Sequence, residues 1–150
     1  MHTVSRYHDI SCGHRVSNHE SKCQHLHGHN YRIHFHCQSN GLDSVGRVID
    51  FSEVKSRLCM WVEDNWDHRF LAWENDEVMI EMAKALGGHK RHDVFFDSVV
   101  WVSFNPTAEN MAEFLVKVVG PIQFKGTGIK LVKCDIEETR KCSASYENSN

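Results

Sequence analysis

The sequence predicts an α+β fold built on an antiparallel sheet, and three patterns carry that reading. Residues 30–38 alternate strictly: Tyr31, Ile33, Phe35 and Cys37 fall on one side, and Arg32, His34, His36 and Gln38 on the other. That is the period of a strand with one buried face. Two later stretches carry apolar residues at helical spacing behind recognisable start signals. Strands and helices then follow one another without βαβ regularity, which argues against a doubly wound parallel sheet.

In chain order, residues 2–12 read as extended and 30–38 as the half-buried strand. Ser39-Asn40-Gly41-Leu42-Asp43 supplies turn chemistry. Val48-Ile49-Asp50-Phe51 is expected to end a second strand. Ser52 then caps a helix to about Trp66, with Val54, Leu58, Trp61 and Val62 as its apolar positions. Glu77 to Leu86 reads as a shorter helix stopped by Gly87-Gly88. Val94 to Phe104, apolar and β-branched, reads as a strand. Asn105-Pro106-Thr107-Ala108-Glu109 opens a helix whose inner face is Ala112, Leu115, Val116 and Val119, and Gly128 to Glu138 reads as the last strand.

The 150 residues are 41% apolar and 25% charged, the balance of one globular domain spanning 1–150. A formal net charge of −3 leaves no basic excess for binding nucleic acid through bulk charge. No apolar run approaches the roughly 18 residues of a membrane span. Met1-His2-Thr3-Val4-Ser5-Arg6 lacks a signal-peptide core, so a cytoplasmic protein is expected. Six spread cysteines with no C-x-x-C pair read as reduced thiols, most of them in the core and at least one reactive.

The 12 histidines are unevenly placed: His2, His8, His14, His19, His25, His27, His29, His34 and His36 all precede the turn at 39–43. In an extended chain His27 and His29 point the same way and share parity with Tyr31, Ile33 and Phe35, the face assigned to the core. Two imidazoles on a buried face are costly unless something satisfies them, and a zinc ion does so. His14, at the end of the preceding strand, is the candidate third ligand. Three histidines leave an open tetrahedral position, which marks a catalytic site more than a structural one. The plainer alternative is a pair of core or surface histidines. His34 and His36 repeat the H-x-H spacing on the polar face and read as solvated.

Cys23-Gln24-His25-Leu26-His27-Gly28-His29 is a C-x-x-x-H-G-H motif, and five further marks follow in order. They are Gly46-Arg47-Val48-Ile49-Asp50-Phe51, Asp67-His68, Pro106-Thr107-Ala108-Glu109-Asn110, Glu138-Thr139 and Ala144-Ser145-Tyr146. Together they resemble the 6-pyruvoyl-tetrahydropterin synthase / 6-carboxy-tetrahydropterin synthase family over residues 4 to 146. Within it, the Cys-to-His spacing resembles the bacterial 6-carboxy-tetrahydropterin synthase branch. The resemblance implies a tunnelling fold: a four-stranded antiparallel sheet with two helices on one face. Three subunits close a barrel, two trimers stack as a homohexamer, and the active sites lie between subunits.

The resemblance also implies lyase chemistry on 7,8-dihydroneopterin triphosphate, a small-molecule pterin substrate. The products are 6-carboxy-5,6,7,8-tetrahydropterin, acetaldehyde and triphosphate, on the way to 7-deazaguanine compounds such as queuosine precursors. Zn²⁺ would be held by His14, His27 and His29 and act as a Lewis acid. Cys23 would be the base, its thiolate favoured by positive charge from Lys22 and the metal. Asp67 would fix the tautomer of His68, which relays protons, the alternative being a surface ion pair after a helix. Glu138 would accept the two parallel N–H donors of the pterin edge, the alternative being a strand-end salt bridge, while Glu137 points the other way. Thr107 and Glu109 are substrate-binding candidates, with helix capping as the equal alternative. Lys22, Arg15 and Lys141 are the candidate cations for the triphosphate, with a solvated surface charge as the plainer reading of each.

The chain departs from the family pattern in three places. Ile10-Ser11-Cys12-Gly13-His14 replaces F-x-A-A-H, which puts Cys12 two residues from a presumed ligand and makes it a rival reactive thiol. Trp66 replaces leucine before Asp67-His68. The stretch between His68 and Pro106 is long, through the helix at 77–86, Gly87-Gly88-His89-Lys90-Arg91-His92 and part of the strand after it. That insertion reads as packing decoration or as a wall of the substrate site. The pyruvoyl-forming reaction, a non-catalytic zinc-binding module and a pterin binder without activity are the competing functions.

Overall fold

The computed structural model of the chain describes residues 1–87 and 92–149, with only the backbone of His92. Gly88-His89-Lys90-Arg91 of the expected insertion therefore lies outside the described residues. β1 (Thr3–His14) and β2 (His27–Ser39) form a long antiparallel pair, joined by a loop holding one 3₁₀ turn, Lys22–Gln24. Helix α1 (residues 51–65) runs from Phe51–Val54 through a π-helical turn at Lys55–Cys59 to Met60–Asn65. β3 (Phe70–Trp73), α2 (Glu77–Leu86), α3 (His92–Ser98) and β4 (Val99–Val102) follow. Helix α4 (residues 108–123) comprises Ala108–Phe114, a π-helical turn at Leu115–Val119 and Gly120–Gln123. β5 (Ile129–Glu137) and β6 (Ser143–Glu147) complete the chain. No helix among the described residues is long and apolar enough to cross a membrane.

The fold is α+β, but the four-stranded antiparallel sheet is not what forms. The sheet has six strands in the order β4-β3-β1-β2-β5-β6, and it is mixed: β3 runs parallel to β1 and β4 parallel to β3. β3 has only four residues with no alternation, so it leaves no periodic signal. β6 pairs antiparallel to β5, so the strand at 129–137 is not the last.

Two other expectations fail for local reasons. Val48-Ile49-Asp50 forms no strand. Asp43 Oδ1 accepts from the backbone N–H groups of both Val45 and Arg47 at 3.0 Å, which folds the chain back on itself there. The cap of α1 is then Asp50 rather than Ser52: Asp50 Oδ1 accepts from Ser52 N and from Ser52 Oγ, each at 2.9 Å. Val94 to Phe104 is not one strand either. Its first half is α3, and only Val99–Val102 is extended, because Phe95 packs with Met79 and Val99 in a small second core beneath α2.

α1 and α4 cover one face of the sheet. The main core between them holds Ile33, Phe35, Leu58, Val62, Trp66, Met111 and Leu115, all buried. Each such side chain contributes about 1.5–3 kcal/mol through burial. The helical phases expected from Val54, Leu58 and Val62, and from Ala112, Leu115, Val116 and Val119, all point into this core.

The opposite face of the sheet is polar and densely paired. His34 and His36, expected to be solvated, instead bind carboxylates across the β2–β5 ladder: His34 Nε2 to Glu137 and His36 Nε2 to Asp135, both at 2.6 Å. Arg32 binds Asp9 at 2.9 Å on the same face. Burial raises the Asp135 carboxyl, but the Ser145 hydroxyl and the His36 ring outweigh it, leaving a net value below the ordinary one. A carboxylate depressed on folding stabilises the fold fully above its unfolded pKa of about 3.9 and loses that contribution as pH falls through the folded value. Asp135→Asn should therefore lower stability at neutral pH and flatten the acid limb of the urea midpoint against pH. An unchanged acid limb would contradict this pairing.

Candidate metal centre

The last residue of β1 and the first of β2 face each other: His14 pairs with His27 in the ladder, and Cys12 with His29. Parity along β2 sends His27, His29, Tyr31, Ile33 and Phe35 to the helix-covered face, as the alternation predicts. Between the histidines sits Gly28, opposite Gly13. A Cβ at Gly13 would lie 2.7 Å from a ring carbon of Phe70, and one at Gly28 would lie 3.2 Å from the Cys12 carbonyl. The two glycines allow the strands and β3 to close on one another where the imidazoles converge.

His14, His27 and His29 each present a ring nitrogen within 4.8 Å of the other two. His14 Nδ1 is 2.6 Å from the Pro106 carbonyl, and His27 Nδ1 is 2.7 Å from the His25 carbonyl. A carbonyl only accepts, so both Nδ1 atoms carry a proton, and Nε2 is in each ring the nitrogen turned to the cluster, with a lone pair to offer when the ring is neutral. Those two Nε2 atoms are 3.0 Å apart. Two lone pairs at that distance repel unless a cation or a shared proton lies between them. His29 Nε2 is buried with no hydrogen-bond partner. Burial lowers the His29 pKa and keeps the ring in its neutral, ligating form, against an opposing pull from Glu138. The arrangement fits a divalent, imidazole-preferring ion such as zinc, and carbonyl partners on the second ring nitrogen are the usual support for such ligands.

Glu138 closes the cluster. Its Oε1 lies 3.3 Å from His14 Nε2 and 3.2 Å from His29 Nε2. The neighbouring His14 imidazole holds this carboxyl below its ordinary value, opposed by burial and assisted by His29. Glu137 points to the opposite face, as expected. The Tyr31 hydroxyl lies 3.2–3.3 Å from both ring nitrogens of His14. Burial pushes this phenol well above the usual range, with Glu138, Cys12 and Cys23 adding to the effect. Cys23, half-buried in the 3₁₀ turn, is thus within electrostatic reach of the same pocket.

Asp67 and His68 form their expected pair, but elsewhere. Asp67 Oδ2 meets His68 Nδ1 at 2.6 Å, and Asp67 Oδ1 accepts from the Ser11 backbone N–H at 2.8 Å. His68 has a left-handed backbone (φ 59°) and a side chain that is 81% exposed. The pair lines a cavity of about 630 Å³ with Asn30, Tyr31, Thr139 and Arg140, and neither Cys23 nor the three histidines line it. Thr107 caps α4, accepting from Asn110 N at 3.2 Å, and Glu109 is exposed.

Two expectations are overturned here. Arg15 is no triphosphate cation: it is buried against Asp76, at 3.4 Å. Cys12 is no rival reactive thiol, because burial, helped by the Asp67 charge, pushes it up to about 12. What the sequence reading missed is the support around the ligands. The carbonyls of Pro106 and His25 leave no side-chain signal. The Tyr31 hydroxyl shares the histidines' parity and was legible only as a core aromatic.

An α+β chain whose two longest strands bring three histidines together where β1 ends and β2 begins is, by fold and site, of the class that carries a candidate metal centre on a β-hairpin. Residues 3–149 match the 6-pyruvoyl tetrahydropterin synthase family. The chain belongs to that family. It is 31% identical over 134 residues to the 6-carboxy-5,6,7,8-tetrahydropterin synthase of Rickettsia felis, covering 89% of this chain and 91% of that one. Its fold matches an uncharacterized protein from Wolinella succinogenes with a TM-score of 0.86 at 23% identity, over 99% and 98% of the two chains. It also matches the Caenorhabditis elegans 6-pyruvoyl tetrahydropterin synthase with a TM-score of 0.64 at 24% identity, over 98% and 95%. These two likenesses concern the fold.

Burial sorts the thiols. Cys12, Cys37, Cys59 and Cys134 are buried and raised by desolvation, whereas Cys23 is half-buried and Cys142 exposed. Iodoacetamide at pH 7 should modify Cys142 and Cys23 in the folded chain and the other four only after denaturation, read by peptide mass mapping. Modification of Cys12 in the native state would contradict the structure.

Proposed function

We propose that this chain is a zinc-dependent lyase, a 6-carboxy-5,6,7,8-tetrahydropterin synthase. It would convert 7,8-dihydroneopterin triphosphate to 6-carboxy-tetrahydropterin with release of acetaldehyde and triphosphate. The observation that carries the reading is the convergence of three imidazoles: Nε2 of His14 and of His27 lie 3.0 Å apart, and the buried Nε2 of His29 makes no hydrogen bond. The Rickettsia felis relative, similar over nearly its whole length, carries the corresponding name. The reading takes residues 1–150 as one domain.

When bound, zinc supplies Lewis acidity towards the side-chain oxygens of the substrate. His14, His27 and His29 hold it. Cys23 takes the proton from the side-chain carbon. Asp67 holds Nδ1 of His68 and leaves its Nε2 to relay protons. Glu138, whose Oε1 lies beside His14 and His29, would present its carboxylate to the paired N–H donors of the pterin edge. Thr107 and Glu109 flank the start of α4, beside the Pro106 carbonyl that anchors His14. Arg140, which lines the cavity with His68, joins Lys22 and Lys141 as a candidate for the triphosphate in place of Arg15. An 81% exposed His68, in a cavity that Cys23 does not line, supports active sites completed between subunits of a homohexamer, a dimer of trimers.

One observation favours a second reading. Glu138 Oε1 lies within 3.3 Å of two of the three ligand nitrogens and is placed to fill the fourth position. A closed site would make the chain a non-catalytic zinc module.

Incubation with 7,8-dihydroneopterin triphosphate and mass analysis of products separates these readings. The proposal expects 6-carboxy-tetrahydropterin with acetaldehyde. A pyruvoyl product overturns it in favour of the other branch, and no turnover by zinc-loaded protein overturns it in favour of the module. Metal analysis should find about one zinc per chain, lost in the His27→Ala/His29→Ala variant. Cys23→Ala should slow turnover by about 10²–10⁴-fold while keeping zinc. Wild-type turnover in that variant would remove Cys23 as the base.

A further inference from the structure

The inserted segment carries a buried charge that reaches back to the site. Asp76 is 1% exposed and Arg15 8%. Asp76 caps α2, its Oδ1 accepting from Val78 N at 3.0 Å, and the same carboxylate faces the Arg15 guanidinium through Nε and Nη1, each at 3.4 Å. Arg15 Nε also donates to the Gln24 carbonyl at 3.1 Å. One residue further along the chain, Val16 N donates to the Cys23 carbonyl at 2.7 Å. Both carbonyls of the Cys23-Gln24 turn are thereby held by the two residues that follow His14.

The geometry is not that of a pair optimised for stability. Both contacts to Asp76 are long, and Asp76 Oδ2 is buried without a hydrogen bond. A buried ion pair of that quality is often no better than an apolar pair of the same volume. What an apolar pair would not do is aim a planar, multiply donating group at a backbone carbonyl. Removing the carboxylate leaves a buried guanidinium with no counter-charge, and the least costly escape is for Arg15 to swing to solvent and release Gln24. The insertion, expected to be decoration or a wall, is thus wired to the loop that bears Cys23.

We propose that Arg15 and Asp76 are positioning residues: the carboxylate that caps the inserted helix holds the Arg15 guanidinium on the Gln24 carbonyl and so fixes the turn that bears Cys23. This deepens the lyase reading and rests on it for its effect on turnover. It predicts that geometry at Cys23 and the rate of the chemical step fall together when the pair is broken, while metal binding stays, because the Pro106 carbonyl anchors His14 and the β1–β2 register places His27 and His29.

The test uses full-length zinc-loaded protein. Asp76→Asn keeps a side chain that caps α2 and removes the charge, and Arg15→Lys keeps the charge but replaces the planar fork with a single point of donation. For each, the rate of iodoacetamide modification at Cys23 is measured relative to Cys142 in the same molecule, with zinc content, kcat and KM. The expected result is an altered Cys23-to-Cys142 ratio in both variants. Zinc should stay at the wild-type level and kcat should fall about 10- to 100-fold, more than any change in KM. Wild-type ratio and kcat in both variants would overturn the proposal. So would a loss of kcat that tracks zinc or folded fraction with the ratio unchanged, since that is what a merely structural pair would give. The labelling ratio needs no substrate, so it reads the positioning even if the wild-type protein fails to turn over the pterin, a failure that would instead count against the lyase reading.

Discussion

The register of β1 on β2 is the constraint on which the site depends. The ladder runs from Thr3 opposite Gln38 to His14 opposite His27 without a break, and it fixes at once which side chains face the helices. A slip of one residue would move every side chain on β2 to the other face. His27 and His29 would then join the charged sheet face, and Arg32, His34 and His36 would be driven into the core. Ile33, Phe35 and Cys37 hold the register because each is fully buried and none can be exchanged for a charged neighbour without large cost. The apolar half of the strand thus places its polar half.

That placement leaves three imidazoles, a carboxylate and a phenol at the end of a core that is otherwise hydrocarbon. Such a group is costly unless its members satisfy one another or a ligand. Part of the cost is offset within the chain, by the Pro106 and His25 carbonyls. The rest is not: His29 Nε2 is buried and makes no hydrogen bond, although Glu138 Oε1 lies 3.2 Å from it. Local satisfaction of Nδ1 on His14 and His27 with no hydrogen bond at His29 Nε2 is a pattern a metal would complete and apolar packing would not, and it explains why burial alone was an insufficient criterion in the sequence.

Legibility followed periodicity. β2, α1, α2 and α4 are long enough for apolar spacing to show, and the H-x-H parity placed His27 and His29 on the correct face. The failures lie where a few residues are governed by distant partners. β3 is four residues long and exists because β1 and β4 flank it. Val94, Phe95 and Phe96 have strand-like composition but form part of α3, since Phe95 is needed under α2. Val48-Ile49-Asp50 looks like a strand until the Asp43 turn is known. The Asp67-His68 motif was readable as a pair, but that it lines a cavity to which Cys23 does not contribute was not, because motif order carries no distance.

The position of Glu138 shows how much one irregularity decides. Along β5, Ile129 and Leu131 share parity, and so do Cys134 and Ile136, but the two sets are out of phase. The pairing with β2 shifts between His36, opposite Lys133, and Cys37, opposite Leu131, so that Val132 is an extra residue. This bulge turns Cys134 and Ile136 inward, opposite Phe35 and Ile33, and carries the same parity on to Glu138. Without it, Lys133, Asp135 and Glu137 would face the core and Glu138 would face away from the histidines. The phase change is written in the sequence as apolar residues at 129, 131, 134 and 136, a break in an otherwise strict period of two. The carboxylate against His14 and His29 is therefore set by a packing requirement six residues upstream rather than by any feature of its own neighbourhood.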